Sequence, residues 1–489
     1  MQIEPNYTET YLLPPSIEDW IPEEHPARFI REFVDTIDLK EYGFTERKSK
    51  EGRPNYSNKL LLKIWLYSYY EKIYSSRQIE RACRNQLPLI WLTTMHYPDH
   101  NTLWRFFKKN KGRIKKIFKH TVKIAVLNDM VGFVLQAVDG TKIKADVSKD
   151  KVLYGPDLTK LLHIIDKSLE KANKQIEEQE EKGKEIISDK LPKKLSNKKK
   201  LQSLIKKGVE ELRKEEKHQL KKDLEEGIKT LEKVGRVKLN ITDKDSRLIK
   251  TKGGKDFYYN VQSVVDSKSQ IIVGAKATNI ETDNHLLTKM IEEAKTNSGR
   301  LAKETLGDAG YFSGEEILKA QENGYSVLVN EPPKLSKKQV GFRKEDFHYN
   351  KEKDSYQCPA NNELKYSRKH KRKSKNYYIK VYQCKDYKSC QFRVLCSSNK
   401  NGRRIERYEF EEALEKQREK QKEKENKELL KKRALIVESV FGWIKHNGNF
   451  TRWYYRGLES VEGQWLLLCI SVNLRKLYSA WVKNGLTYV

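Results

Sequence analysis

Apolar residues recur at three- and four-residue spacing through the first quarter of the chain, from about 20 to 127. Such periodicity predicts helices, because positions three or four apart share one face of an α-helix. We expect helices over 26–39, 57–73, 76–83 and 101–124. Polar residues that favour helix starts, Ser75 and Asp99, precede the third and the fourth. A helical domain is therefore predicted for residues 1–127. Its basic residues, such as Arg77 and Arg105, suit a DNA-binding domain, or they form the solvated face of an ordinary helical bundle.

The pattern becomes strand-like at Val131. Residues 132–141 form a short apolar run that reaches Asp139 and Gly140, as a buried strand does where it ends in a turn. Residues 257–266 and 271–275 predict an antiparallel hairpin. The remaining expected elements are a helix over 283–294, a strand ending at Asp308, a helix from about 313 and a strand over 325–329. This order predicts a mixed α/β layer with carboxylates at the strand ends.

Two stretches of unusual composition interrupt this core. Residues 148–250 include a long segment, 166–235, that has no aromatic residue and predicts a charged helical hairpin or loose coiled coil. Residues 331–410 are rich in Lys, Arg and Tyr and contain four of the six cysteines. From 411 one charged helix is expected to continue into the apolar segment 434–445, before a last helix over 461–478. The predicted domains are 1–127, a core over 128–330 interrupted by 148–250, an insertion over 331–410, and helices over 411–489 that complete the core.

Charge then limits the classes of partner. The 489 residues include 98 Lys and Arg against 68 Asp and Glu, a formal charge of +30 that favours a polyanion such as nucleic acid. No apolar run approaches the roughly 18–20 residues of a membrane span. The first residues lack the basic and apolar regions of a signal peptide, and six cysteines are too few for a disulfide scaffold. A cytoplasmic protein without membrane contact is expected.

Three acidic residues lie in matching contexts. Asp139 and Asp308 fall at predicted strand ends, and Glu438 lies on a helix with an apolar face. Carboxylates from separate elements can hold two divalent ions about 3.5–4 Å apart, which is a common arrangement for chemistry at phosphorus. Asp-Gly and Asp-x-Gly are also ordinary turn sequences. The competing ligands are Asp146, Asp266 and Asp283.

Several short segments are informative by their order along the chain. In the N-terminal region they are Glu24-His25-Pro26-Ala27-Arg28, Gly52-Arg53-Pro54-Asn55-Tyr56, Ser75-Ser76-Arg77-Gln78-Ile79-Glu80 and Pro98-Asp99-His100-Asn101-Thr102. In the core they are Val138-Asp139-Gly140-Thr141-Lys142, Tyr259-Asn260-Val261-Gln262 with Asp266, Gly307-Asp308-Ala309-Gly310-Tyr311, and the segment from Val437-Glu438 to Lys445. In this order the segments resemble the DDE transposases of bacterial insertion sequences, in the branch called IS eleven-eighty-two of the IS-four superfamily.

The resemblance implies an RNase H-like core. Its five-stranded mixed sheet would have a first strand ending in Asp139 and a fourth ending in Asp308, and a later helix would supply Glu438. These would be the family's three catalytic acids, binding Mg²⁺, for which Mn²⁺ would substitute. The charged insertion would account for the 169 positions from Asp139 to Asp308.

The family also has a Tyr-Arg-Glu-Lys signature on the helix of the third acid. Glu438 and Lys445 keep its spacing, whereas Arg433 is one residue too far from Glu438 and Leu430 stands where Tyr is expected. Lys445, two turns after Glu438, would hold a terminal phosphate, or it is an ordinary surface lysine. The residues predicted to contact DNA are Lys142, Arg433, Lys445, Arg452 and Arg456. Trp453 and Tyr454 would stack on DNA or pack under the helix.

The clustered cysteines are Cys358, Cys384, Cys390 and Cys396. Their spacing differs from a tight zinc knuckle, yet four thiolates within 39 residues can close a tetrahedral Zn²⁺ site. The alternative is four reduced thiols in a small basic subdomain. The neighbouring basic run 368–373 would contact phosphates or form a disordered loop.

These observations predict a DNA transposase of a mobile element. It would cleave at the terminal inverted repeats of an insertion sequence and transfer the 3′ hydroxyl to target DNA. A homodimer would bring two ends together in a bacterial cytoplasm, with the enzyme on the nucleoid. The alternatives are a catalytically silent, transposase-derived DNA-binding regulator and an RNase H-like nuclease without strand transfer.

Overall fold

The computed structural model describes most of the chain. The described residues are 16–45, 55–148, 152–154, 162–167, 218, 221–222, 225, 238–240, 242–251, 253–332, 341–372, 377–397 and 399–488. Most of the charged hairpin predicted within 148–250 lies outside them. Within the described ranges, none of the helices is both long enough and apolar enough to cross a membrane.

The N-terminal region is helical, as predicted. Its helices are α1 (Pro26–Asp35), α2 (Asn58–Tyr70), α3 (Ser76–Asn85), α4 (Leu87–Leu92), α5 (His100–Asn110) and α6 (Ile114–Leu127). Ser75 and Gln78 form a capping box at α3, and Asp99 accepts a 2.8 Å hydrogen bond from the Thr102 amide at α5. The single helix expected over 101–124 was wrong, because a short 3₁₀ turn over Lys111–Arg113, which contains Gly112, separates α5 from α6.

A six-stranded mixed sheet follows. Its strands are β1 (Leu135–Lys144), β4 (Arg247–Thr251), β5 (Gly254–Asp266), β6 (Ile272–Thr278), β7 (Glu304–Gly307) and β8 (Val327–Val329), and a separate pair is formed by β2 (Val152–Tyr154) and β3 (Lys238–Asn240). The order across the sheet is β4-β5-β1-β7-β8, and β6 also pairs with β5. Strand β1 is antiparallel to β5 and parallel to β7, and β7 is parallel to β8. The predicted hairpin is confirmed as β5 and β6.

The described residues also include the helices α7 (Leu287–Ser298), α8 (Gly314–Glu322), α9 (Arg393–Cys396), α10 (Glu411–Lys422), α11 (Lys424–Gly442) and α12 (Leu458–Asn484). The single charged helix expected from 411 to 445 was wrong. Glu423 is extended between α10 and α11, and the Asn426 side chain donates to the Lys420 carbonyl at 2.8 Å, which satisfies a group at the end of α10. Helix α11 passes directly into a π-helical turn over Trp443–Asn447.

Helix α12 joins the N-terminal helices to the large sheet. Asn473 exchanges two 2.9 Å hydrogen bonds with the backbone of Ile272 on β6, and its amide also donates to Thr121 on α6 at 3.3 Å. Gln464 donates to the Tyr69 hydroxyl of α2 at 2.8 Å. Cys469 is fully buried here, as expected. The helical region and the sheet therefore share one hydrophobic core.

The cysteine-containing segment forms a second, smaller sheet. Its antiparallel strands are β9 (His348–Asn350), β10 (Ser355–Gln357), β11 (Glu363–Lys371), β12 (Tyr378–Cys384) and β13 (Arg404–Tyr408). Each strand pairs with its neighbours in chain order. The apolar cluster of this sheet is separate from the main core.

Candidate acidic site on the large sheet

Asp139 and Asp308 lie side by side on neighbouring parallel strands. The last paired residues of β1 and β7 are Ala137 and Leu306, and each aspartate follows its residue by two positions along the chain. Asp308 directly follows β7, as predicted, but the expectation that the first strand ends at Asp139 was wrong. Strand β1 continues to Lys144 because β5 pairs with it along this whole length.

The Asp139 carboxylate is partly buried and carries a compensating charge. Arg433 of α11 lies 3.2 Å from it, and the Gly140 amide donates to it at 2.8 Å. Burial raises the pKa of Asp139, and the negative charge of Asp308 raises it further, whereas Arg433 and the Gly140 amide lower it. The dependence on Asp308 indicates that the two carboxylates are electrostatically coupled.

A third carboxylate, Asp283, completes an acidic cluster. It follows β6 and accepts hydrogen bonds from Asn260 at 2.7 Å and Gln262 at 2.8 Å, both from β5. Lys142 of β1 forms an ion pair with it at 2.7 Å. Sequence reasoning recognised Asp283 only as a competing ligand, because nothing in its local sequence indicates that two strands supply its partners.

Two glycines allow these acids to approach one another. A Cβ atom at Gly140 would lie 2.2 Å from the Gln262 amide nitrogen and 3.1 Å from Asp283. A Cβ atom at Gly310 would lie 3.0 Å from the Asp308 carboxylate and 3.5 Å from that of Asp283. Both positions therefore need glycine for a close approach, which explains the Asp-Gly and Asp-x-Gly sequences in structural terms.

Tyr311 lies beneath the cluster. Its hydroxyl donates to the Gln262 side-chain oxygen, and its side chain is buried. Burial raises the pKa of Tyr311, and the charges of Asp283, Asp139 and Asp308 raise it further. The Tyr311 phenol therefore lies within electrostatic range of all three aspartates.

Glu438 does not join this cluster. It is exposed on α11, the helix whose Arg433 contacts Asp139. Within the described part of the chain, no three His, Cys, Asp or Glu side chains are arranged so that they could hold a metal ion. The three predicted acids are thus brought together only in part, with two of them adjacent and the third on a neighbouring helix.

Lys445 lies close to the acidic cluster. It sits in the π-helical turn after α11, and its ammonium group donates to the Thr141 hydroxyl, two residues beyond Asp139. Burial lowers the pKa of Lys445, the Asp139 charge opposes this, and Lys142 lowers it further. Two lysines, Lys142 and Lys445, therefore flank the carboxylates.

Arg452 and Arg456 lie elsewhere, beyond the far end of β1. Both pair with Asp146, at 2.8 and 3.0 Å, and both are about half exposed, at 49% and 52%. Trp453 between them is buried, and its ring nitrogen donates to the Ile143 carbonyl at 3.2 Å, so the suggestion that it stacks on DNA was wrong. Asp146 is therefore engaged at the surface rather than in the cluster.

Asp266 has a structural role. Its buried carboxylate accepts hydrogen bonds from the amides of Gly132, Phe133 and Lys268, at 2.9, 3.1 and 2.9 Å. These bonds fix the turn before β1 against the turn after β5. Its carboxylate is therefore already saturated with donors from the protein.

The mixed sheet, with helices packed around it, places the protein in the α/β class. Residues 357–478 match the family model of a transposase DDE domain, and residues 15–109 match that of a transposase domain called DUF772. Together the matches support a DDE transposase. No curated protein gives a match to the chain. The first range includes Glu438, Lys445 and the four clustered cysteines, whereas Asp139 and Asp308 lie outside both ranges.

Proposed function

We propose that the protein is a transposase that cleaves DNA at the terminal inverted repeats of an insertion sequence and joins the freed 3′ hydroxyl to target DNA. The observation that carries the proposal is the adjacency of Asp139 and Asp308 on parallel strands. The two transposase family matches support it from separate parts of the chain.

The strand order supports an RNase H-like core for this chemistry. Taken in chain order, β1, β5 and β6 are antiparallel neighbours, and β7 and β8 continue in parallel on the other side of β1. Strand β4 adds a sixth strand from within the range predicted as an insertion. Fold alone assigns no activity, so the proposal rests on the acids that this sheet positions.

Asp139, Asp308 and Glu438 would hold the catalytic metal, Mg²⁺ or Mn²⁺. A pair of such ions supplies activation of the attacking water or hydroxyl and stabilisation of the leaving oxygen. The donor chemistry of the two adjacent aspartates fits a hard cation, whereas Glu438 would have to approach from α11. Arg433 forms an ion pair with Asp139 in the structure. Because Arg433 and Glu438 lie on the same helix, α11, this helix already contacts one of the two aspartates.

The basic residues around the acids would bind the DNA backbone. Lys445 and Lys142 would hold phosphate oxygens next to the cleaved bond as point charges. Arg452 and Arg456 would contact phosphates farther along the strand, because they lie at the other end of β1.

The N-terminal helices would recognise the inverted repeats. Helices α3 and α5 contact each other and carry exposed basic residues, namely Arg77, Arg81, Arg84, Arg105, Lys108 and Lys109. Two packed helices with basic outer faces suit a duplex. A homodimer would hold the two ends, and the enzyme would act on the bacterial nucleoid. Any Zn²⁺ in the cysteine-containing insertion would have no part in the cleavage step.

The test is cleavage and joining of DNA that carries the gene's own flanking inverted repeats, with Mg²⁺ or Mn²⁺. Wild-type protein and Glu428→Gln should cut at the repeat tips and give joined product, whereas Glu438→Gln should do neither. Glu428 is a matched control because it is an exposed glutamate on the same helix, paired with Lys431 at 2.8 Å. Binding without cutting would support the silent regulator, and cutting without joining would support the nuclease.

A further inference from the structure

The four clustered cysteines reach one small cavity from different parts of the small sheet. Cys358 follows β10, Cys384 is the last residue of β12, Cys390 lies in the following loop and Cys396 ends α9. All four thiols line the same cavity, whose volume is about 30 Å³, and none forms a disulfide. About 10–15 Å³ suffices for one water-sized occupant, so a single ion fits among the sulfur atoms.

Neighbouring groups already donate hydrogen bonds to the sulfur atoms. The Asn362 amide donates to Cys358 Sγ at 3.3 Å, and the Asn362 side chain donates to Cys390 Sγ at 3.8 Å. Donors of this kind orient a metal ligand.

Positive charge adjoins the same cavity. Arg393 and Arg403 both line it, and Arg403 donates to the Cys396 carbonyl at 3.1 Å. Four thiolates around one divalent cation carry a net charge of −2, because each sulfur contributes one negative charge. Two guanidinium groups beside the cavity would balance that charge.

The small sheet also has only a small apolar cluster of its own. Its buried cluster consists of Phe347, Tyr356, Leu364, Tyr382, Cys384 and Ile405. A segment with so small a core usually needs a disulfide or a metal to hold its strands together. The four thiols lie where such a link would connect β10, β12 and α9.

We propose that Cys358, Cys384, Cys390 and Cys396 bind one structural Zn²⁺ that holds the small sheet together. Among the described residues the thiols as positioned are not arranged as a metal ligand set, so they would have to move closer together around the ion. Binding converts four thiols to thiolates and releases their protons. All four coordination positions are then filled by sulfur, so no position is left for water or DNA.

The experiment measures metal in the full-length protein, purified without added zinc or chelator. Elemental analysis should find about one Zn per chain. Cys384→Ser and Cys390→Ser should each lower the zinc content per chain at least about fivefold, because each removes a ligand. Cys83→Ser is the matched control and should retain the metal, because Cys83 is buried in α3 among the N-terminal helices.

A cobalt experiment covers the case in which the serine variants do not fold. Wild-type protein exchanged with Co²⁺ should show thiolate-to-cobalt charge-transfer bands and the visible bands of a tetrahedral ion. Less than about a tenth of an equivalent of zinc after growth in zinc-supplemented medium, together with no tetrahedral cobalt spectrum, would overturn the proposal. So would retention of zinc by well-folded Cys384→Ser and Cys390→Ser. Neither measurement uses DNA, so failure here is distinguishable from failure of the proposed transposase activity.

Discussion

The two sheets of the protein differ in how far apart their strands lie along the chain and in the size of the core behind them. The large sheet takes its strands from residues 135 to 329 and shares one apolar core with the N-terminal and C-terminal helices. The small sheet takes five consecutive strands from residues 348 to 408 and has its own small core. Both nevertheless gather side chains that suit a cation, carboxylates in the large sheet and thiols in the small one.

The difference lies in what fixes each cluster. The positions of Asp139 and Asp308 follow from the pairing of β1 with β7, which the large core enforces. The cysteines lie at the ends of β10, β12 and α9 and in the loop after β12, in a sheet that has only a small core of its own. We therefore expect the acids to remain in place without metal, and the cysteine region to depend on its metal for order.

The largest effect should come from the paired aspartates. Asp139→Asn and Asp308→Asn should each lower the rate of DNA cleavage by about 10³-fold, because each removes a negatively charged ligand from the site. Cleavage of inverted-repeat DNA measures this. Asp129→Asn is the control, since Asp129 is an exposed aspartate paired only with Lys268 among the described contacts. All three variants should contain as much zinc as the wild-type protein, because the aspartates and the cysteines belong to separate clusters. Near-normal cleavage by Asp139→Asn or by Asp308→Asn would show that the substituted aspartate is not part of the mechanism.

Removal of zinc should separate the two sheets. Chelation is expected to speed amide hydrogen exchange in β10 and β12 by about 10²-fold, while β1 and β5 stay protected by the large core. Exchange followed by mass spectrometry measures both regions in one sample. The Cys384→Ser variant should exchange fast with or without chelator. Equal acceleration in both sheets would show that they unfold together, contrary to the comparison.

Asp283 tests how far the acidic cluster depends on its supporting residues. Asp283→Asn should lower cleavage by about 10- to 100-fold, because Lys142 loses its ion-pair partner and Asn260 and Gln262 lose a charged acceptor. Cleavage kinetics and thermal unfolding should be measured together. A fall in unfolding temperature without loss of activity in the folded protein would assign Asp283 a purely structural role.

The smallest expected effect is the loss of folding stability at acidic pH. Burial lowers the pKa of His120, on α6, to about 4. Below its ordinary pKa of about 6.5, His120 takes up a proton in the unfolded chain but not in the folded protein. The free energy of unfolding should therefore fall by up to about 2–3 kcal/mol as the pH falls from about 6.5 towards 4. Thermal unfolding across this range measures the slope.

His120→Gln should reduce the slope, because glutamine does not titrate. The control is His348→Gln, which alters an exposed histidine of the small sheet and should leave the slope unchanged. An unchanged slope in His120→Gln would mean that other groups govern acid unfolding of the large core.

Much of the fold could be predicted from local patterns. The apolar periodicity indicated the N-terminal helices, and the capping sequence at Ser75 fixed the start of α3. The hairpin β5–β6 followed from two apolar runs and a short polar turn. The breaks within 101–124 and at Glu423 were missed because both lie in segments that are helical on each side.

The site was predicted less completely than the fold. Asp139 and Asp308 were predicted from their places at the ends of apolar runs and from the family resemblance, and the glycines beside them allow the close approach of Gln262, Asp283 and the Asp308 carboxylate. The ion pairs of Arg433 with Asp139 and of Lys142 with Asp283 depend on tertiary packing and have no local signal. Trp453 was ambiguous for the same reason, since only the packed structure shows it buried against β1.

The position of α12 has a consequence for how the protein is made. The helices α2 and α6 pack against α12, yet 330 residues, 128–457, are synthesised between the end of α6 and the start of α12. At about 5–20 residues per second, the first helices wait roughly 15–65 seconds for the partner that completes their core. During that time their apolar faces are open to chaperones and proteases. A ribosome that stops before α12 is therefore expected to leave an unstable product rather than a separately folded helical domain.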